Sequence, residues 1–411
     1  MPESLPLPSQ TAPPLDQVQP YSLTMPPLVR FGPGRIAEVG QVAATLGQRV
    51  WLVTGGDSFA RCGGREPLLH GLAAAGLPHE QVARSAGEPT VVQLAAGLAS
   101  LPADRKGVVV VAVGGGATID LAKALAALAT NVEPCDERAA ETAVIDRLEG
   151  VGRGLPITRP PLPVVAVPTT AGTGAEATRN AVISCPHRRF KKSLRSSLMV
   201  PRAAVIDPLL TRSCSRETTA AAGLDCLTQL IESFISRRRW PLPQALVLEA
   251  FPQVFAALPR LLDDPSDDEA RAAMSHAAFI SGVALGNAGL GLAHGVAAAL
   301  GVECGTPHGL ACAVMLPLAL KINRQTAGVE LARLDASLGG SAGSPGQAAG
   351  RLFERVEGLC RQAGIPRTLS ELGLPRDRLG WLAEHSGGNS MRGNPLQLAP
   401  DELRAALESI Y

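Results

Sequence analysis

The sequence predicts an open, parallel α/β domain followed by an all-helical domain. Four short runs, VWLVT (50–54), GVVVVAVG (107–114), PVVAVP (163–168) and AAVID (203–207), are apolar on both faces and mostly β-branched, as strands buried within a parallel sheet must be. Between them lie stretches of helical period, such as VVQLAAGLASL (91–101) and IDLAKALAALAT (119–130), and this strand–helix alternation marks an open α/β sheet. After Asp207-Pro208 the strand-like runs cease, and residues 216–237, 243–262, 267–300, 309–324, 347–363 and 400–410 carry helical patterns. The α/β domain is therefore expected over 21–206 and the helical domain over 207–411. A loose tail rich in Pro, Ser and Gln is expected over 1–20.

With 411 residues and 46% hydrophobic content, the chain can bury two sizeable cores. A net charge of +1 gives no general electrostatic case for nucleic acid or an anionic membrane as partner, and 3% aromatic content does not suit a base-stacking platform. Eight dispersed cysteines without a CxxC pair argue against a zinc ribbon or thioredoxin motif and suit reduced thiols. The opening MPESLPLPSQTAPPLDQVQP has no basic n-region or apolar h-region, and no window of about 20 uninterrupted apolar residues occurs, so a cytoplasmic location is expected.

The run GVVVVAVGGGATIDLAKALA places Gly114, Gly115 and Gly116 between a strand and a helix. Without Cβ atoms the backbone can approach a phosphate closely, and the helix N-terminus adds partial positive charge. A plain tight turn would use the same glycines, and the order is not that of the GxGxxG fingerprint. Asp120 and Lys123 follow on the first turns, where an N-terminal helix charge and a solvated or snorkelling lysine are the simple expectations.

A second polar loop, PTTAGTGAE (168–176), follows the strand ending at Val167. Hydroxyls and glycines at the carboxyl end of a strand suit a ligand crevice, although a turn capping a helix would use them too. Two such loops on one sheet are better explained together by a nucleotide site.

In the helical half, Asp225 and Gln229 stand four residues apart on one helix face. His294 and His308 lie fourteen residues apart, each followed by a glycine, Gly295 and Gly309, which suggests crowded backbone. Asp225, His294 and His308 form a two-histidine, one-carboxylate set suited to Fe(II) or catalytic Zn(II). Each histidine alone also fits a hydrogen-bonded core residue.

These motifs resemble the iron-containing (group III) alcohol dehydrogenases, relatives of dehydroquinate synthase and glycerol dehydrogenase. The resemblance runs from about Tyr21 to the end. It is carried by LVRFGPGRIAEVG (28–40), VGGGATIDLAKALA (113–126), VPTTAGTGAEATRNAVI (167–183), VIDPLLT (205–211), AAGLDCLTQLIESFIS (221–236), NAGLGLAHGVAAALG (287–301), TPHGLACAVMLP (306–317) and SMRGNP (390–395).

The resemblance implies a dehydroquinate synthase-like fold, with a nicotinamide dinucleotide-binding α/β domain and a helical metal-binding domain. It also implies hydride transfer between NAD or NADP and a small alcohol or aldehyde, and a homodimer. Gly115, Gly116 and Ala117 would cradle the pyrophosphate, Thr169, Thr170 and Thr173 would line the cofactor, and Lys192 or its neighbour Lys191 would lie near the ribose. The family's four metal ligands, one Asp and three His, fall on Asp225, Gln229, His294 and His308, so one position departs from the pattern. A second departure is Ala298, where many members carry another histidine. At Gly55 the chain lacks the Asp that NAD-preferring members often carry, which tilts the expectation towards NADP, while Asp57 two residues later leaves NAD open. Two other activities stay open at this stage: a metal-independent reductase of an oxo-acid similar to the maleylacetate reductases, and a dehydroquinate synthase-like lyase. A protein that only binds is the remaining alternative.

Overall fold

The structure, a computed structural model, describes residues 21–56, 58–85 and 87–411. The expected tail over 1–20 and Asp57 lie outside the described residues. Six strands, β1 (Leu28–Phe31), β2 (Arg49–Thr54), β3 (His79–Arg84), β4 (Val108–Gly114), β5 (Val164–Pro168) and β8 (Ala203–Ile206), form one parallel sheet in the order β1-β8-β5-β4-β2-β3. A two-stranded antiparallel hairpin, β6 (Asn180–Cys185) with β7 (Phe190–Arg195), stands apart from it.

The four apolar runs are the four inner strands, and their double-sided pattern has a direct cause. Alternate residues of β4 serve two cores. Val108, Val110 and Ala112 pack with the helices Val91–Ser100 and Gly116–Asn131, while Val109, Val111 and Val113 join the cluster that holds Leu68 and Leu72 of the helix Arg65–Ala74. A strand covered by helices on both faces has no polar side to display.

From β2 the chain proceeds outward to β3, whereas from β4 it proceeds to β5 on the opposite side. The strand order therefore reverses between β2 and β4, and a crevice opens there beyond their carboxyl ends. Gly55 and the Gly114–Gly116 turn stand at its two lips, with the Gly55 amide donating to Val113 O at 2.9 Å.

After Ile206 the described chain is helical, as the sequence pattern implies, with one difference. The pattern over 267–300 predicts one helix, but the chain forms two, Asp268–Ala288 and Leu292–Cys304, bent by 100°. Gly289, at φ 77°, makes a turn that a side chain would strain, and the helical period of the flanking apolar residues hides it. The helix Pro241–Asp263 is long and apolar enough in composition to cross a membrane, and it packs in the helical core through Val247, Phe251, Val254 and Leu258.

Lys123 corrects a simpler expectation. Its side chain is fully buried rather than solvated, with Nζ donating to Ala175 O and Thr178 Oγ1 at 2.9 Å each and pairing with Asp120 Oδ1 at 3.0 Å. Asp120 also accepts from Val182 N at 2.9 Å, so this pair ties the glycine-turn helix to the second polar loop and the hairpin.

The α/β and helical halves meet backbone to backbone. A Cβ on Gly282 of the helix Asp268–Ala288 would fall 2.2 Å from Gly174 O, and one on Gly172 would fall 2.8 Å from Ala222 Cα. Replacing Gly282→Ala forces this contact apart, with an expected loss of about 1–3 kcal/mol of stability in chemical denaturation. An unchanged unfolding midpoint would show that the junction is looser than its geometry.

Candidate metal centre and cofactor crevice

The helix Arg216–Ile235 carries a buried polar stripe, Asp225, Gln229 and Glu232, at i, i+4 and i+7. Glu232 accepts from Gly291 N at 2.9 Å, Ala293 N at 2.6 Å and His294 Nδ1 at 2.7 Å. One carboxylate thereby holds the N-terminus of the helix Leu292–Cys304 and orients the histidine in its first turn. Asn394, in the SMRGNP motif, accepts from Leu292 N at 3.1 Å and completes the cap.

His294 turns its Nε2 towards Asp225 Oδ1 at 3.2 Å. His308, the first residue of the helix His308–Asn323, brings its Nε2 to 4.0 Å from the same oxygen. The two rings meet edge to face at 5.4 Å. Cys312, one turn after His308, has Sγ 3.7 Å from His308 Nε2, and one donor atom from each of these four residues lies within 4.8 Å of all the others. The three residues expected to share a site do converge. Cys312 and Glu232 were not singled out by the sequence reading, although the spacings 308/312 and 225/229/232 held the signal.

Gln229 is buried one turn from Asp225, and its Oε1 accepts from Ser281 Oγ at 2.7 Å. The crowding inferred at Gly295 and Gly309 comes from protein backbone: their Cβ atoms would fall 3.0 Å from Ser386 O and 2.6 Å from Ala221 O.

Burial by itself would raise the Asp225 carboxyl, yet the His294 hydrogen bond and the neighbouring His308 hold it below the usual carboxylate range. Burial works against charge on His294 as well, but Cys312, Asp225 and Glu232 around the ring hold it well above the ordinary histidine value. For His308 burial wins, aided by Lys191 and His294, and lowers it to about 4. His308 Nδ1 is buried without a hydrogen-bond partner among the described residues. This donor set fits a divalent cation: a carboxylate, a neutral imidazole at His308, and a second imidazole whose Nδ1–H is fixed by Glu232 in the carboxylate–histidine–metal manner.

A cavity of about 480 Å³ opens onto His294 and His308, with Lys191, Lys192, Ala298 and His385 among its walls. Lys191 pairs with Glu88, and Lys192 shares the cavity one residue further along β7. At the crevice, the helix Gly116–Asn131 has no side-chain cap, which leaves its first backbone N–H groups for an anion. A Cβ on Gly116 would fall 2.5 Å from Thr173 Oγ1, so the glycine turn and the loop bearing Thr169, Thr170 and Thr173 lie against each other. That loop in turn packs through Gly172 on Ala222, three residues before Asp225.

A parallel α/β half with an open crevice is joined to helices that gather two histidines and a carboxylate beside a cavity, an arrangement suited to a nucleotide-dependent, metal-assisted enzyme. Residues 26–208 match the family described as iron-containing alcohol dehydrogenase, and residues 219–411 match the C-terminal region of the Fe-containing alcohol dehydrogenase family. The chain is 30% identical over 390 residues to alcohol dehydrogenase 4 of Saccharomyces cerevisiae, covering 94% of this chain and 97% of that one. It is 30% identical over 376 residues to lactaldehyde reductase of Escherichia coli K12, covering 91% and 95%. Among solved structures, a 1,3-propanediol oxidoreductase matches with a TM-score of 0.85 at 28% identity, covering 96% of this chain and 100% of that one. Sulfoacetaldehyde reductase from Bifidobacterium kashiwanohense, solved in complex with NAD+, matches with a TM-score of 0.82 at 25% identity, covering 95% and 99%. The chain belongs to the iron-containing alcohol dehydrogenase family.

Glu232→Ala leaves the N–H groups of Gly291 and Ala293 and the His294 ring unpaired, so metal affinity measured by competition with a chelator should fall about 10- to 100-fold. Equal affinity in both proteins would remove Glu232 from the site. Glu176, buried in the second polar loop, has its carboxyl raised by burial from 4.5 to about 7 against the opposing pull of Lys123. Folding then binds the proton more tightly, so the stability it contributes is full below about 4.5 and is lost as pH rises to about 7. Compared with Glu176→Gln, the wild type should lose up to roughly 3 kcal/mol between about pH 5 and about pH 8.5. Parallel stability curves for the two proteins would mean that Glu176 titrates normally.

Proposed function

We propose that this alcohol dehydrogenase exchanges hydride between a nicotinamide dinucleotide lying across the β2/β4 crevice and a small alcohol or aldehyde whose oxygen sits beside Asp225, His294 and His308. The observation that carries this reading is the convergence of those three donors beside a cavity that His294, His308, Lys191 and Lys192 line. A divalent cation held by these residues, Fe(II) or Zn(II), supplies Lewis acidity towards the substrate oxygen.

The residues of the chain do the rest. Asp225 presents one oxygen to both imidazoles, and Glu232 accepts the Nδ1–H of His294, so that Nε2 faces the cluster. The N–H groups at Gly115, Gly116 and Ala117 receive the pyrophosphate, while Thr169, Thr170 and Thr173 line the dinucleotide. Lys192 is assigned to the nicotinamide ribose. The packing of Gly172 on Ala222 ties the cofactor loop to the helix of Asp225, and hydride transfer needs that alignment held within a fraction of an ångström. Gly55 presents no carboxylate to a ribose 2′-oxygen or 2′-phosphate, so NAD and NADP both fall within the proposal; the relative solved with NAD+ supports the former. The domain division near 207 belongs to the same reading, as do a homodimer and a cytoplasmic location, the last supported by eight unpaired cysteines.

Aldehyde reduction with NADH and NADPH, measured before and after chelation, tests the proposal. Activity should vanish with the metal and return on adding Fe(II) or Zn(II), and Asp225→Asn or His308→Ala should lower kcat by orders of magnitude without unfolding the chain. Full activity after complete metal removal would replace this mechanism with a metal-independent one in which the histidines act as hydrogen-bond donors.

A further inference from the structure

We propose that Cys312 is the fourth protein ligand of the metal centre, in the place that Gln229 leaves without a strong donor. The inference rests on the reading of Asp225, His294 and His308 as metal ligands and goes beyond it.

In a tetrahedral site with bonds of about 2.0–2.3 Å, ligand atoms stand about 3.3–3.8 Å apart. Asp225 Oδ1 lies 3.2 Å from His294 Nε2 and 4.0 Å from His308 Nε2, and Cys312 Sγ lies 3.7 Å from His308 Nε2. All four donors fall within 4.8 Å of one another, so closing the set on an ion requires shifts of an ångström or less. Among the described residues this is the one group of His, Cys, Asp and Glu donors that converges in this way.

Cys312 follows His308 by four residues on the helix His308–Asn323, so both project from one face. Gly309 seats that helix against Ala221 of the helix that carries Asp225, which fixes the distance between the two donor-bearing elements.

Gln229 is the weaker donor. Its amide offers only a neutral carbonyl oxygen, and that oxygen already accepts the Ser281 hydroxyl at 2.7 Å. Drawing it to a cation would cost a buried hydrogen bond, whereas Cys312 Sγ gives up only weak contacts. A buried cysteine is more often a small apolar filler, as Cys360 is here, whose Sγ has the Ala313 carbonyl at 4.0 Å as its polar contact. Cys312 faces two imidazoles and a carboxylate.

On binding, the S–H bond of Cys312 breaks, its proton leaves to solvent, and the sulfur–metal bond forms. The thiolate has two consequences. It makes the donor set softer than one of nitrogen and oxygen alone, which shifts preference from Fe(II) towards Zn(II). It also adds a second anionic ligand beside Asp225, so the divalent charge would be neutralised within the protein, and a substrate oxygen would have to enter as a fifth donor.

The test is the full-length chain loaded with Co(II). The wild type should show a near-ultraviolet sulfur-to-cobalt charge-transfer band along with visible ligand-field bands. Cys312→Ser should lose the first, keep the second, and bind the metal at least about 10-fold more weakly. Zinc absorption-edge spectroscopy of the wild type, which needs no variant to fold, should find one sulfur at about 2.3 Å. A wild-type site with only nitrogen and oxygen neighbours overturns the proposal while leaving the metal centre in place, as does a charge-transfer band that survives in Cys312→Ser. A chain that takes up no cobalt by elemental analysis overturns both the metal centre and the role given to Cys312.

Discussion

The Glu232 carboxylate, buried near the end of the helix Arg216–Ile235, accepts from two backbone amides and one imidazole. A carboxylate removed from water loses several kcal/mol of solvation, and only donors on its lone pairs offset that. Each charge-assisted bond returns about 1.5–3 kcal/mol, so three of them bring burial near balance. The geometry this imposes reaches far: the chain must turn at Gly289, the helix after it must start within reach of Glu232, and His294 must present Nε2 to Asp225. Sharing one helix, Asp225 and Glu232 keep that ring between two fixed carboxylates.

The cofactor side is tied to the same helix by packing rather than by charge. The loop after β5 touches the glycine turn at Thr173 and the helix of Asp225 at Ala222, with glycine at each contact. Two structural halves that meet through backbone atoms cannot slide without a clash, since a packed interior forfeits much of its attraction at gaps below an ångström. The crevice at the strand reversal and the histidine cluster are thereby held in register, which hydride transfer requires. The buried Asp120–Lys123 pair adds a polar tie between the glycine-turn helix and the residues leading into the hairpin.

Much of this was legible in the sequence because it depends on local pattern. Strands buried on both faces must be apolar throughout, so the four inner strands declared themselves. Asp225, His294 and His308 were legible because few other residues bind cations. What escaped depends on partners distant in the chain. The hairpin 180–195 runs through the charged HRRFKKSLR, which does not alternate as a half-buried sheet would. Lys123 stands among apolar neighbours that do not reveal where its charge goes, and Ala175, Thr178 and Asp120 around its ammonium explain its burial. The break at Gly289 interrupts an apolar period that continues on both sides. Cys312 looked like one of eight scattered thiols until the fold set it opposite Asp225.

The mechanism depends most on a single ion held in the helical half by Asp225, His294 and His308. The direct measurement is anomalous diffraction from crystals of the metal-loaded enzyme, recorded at the iron and zinc absorption edges. The mechanism predicts one peak per chain, within bonding distance of Asp225, His294 and His308. An active enzyme whose crystals hold no metal at that position, or hold it elsewhere, would contradict it.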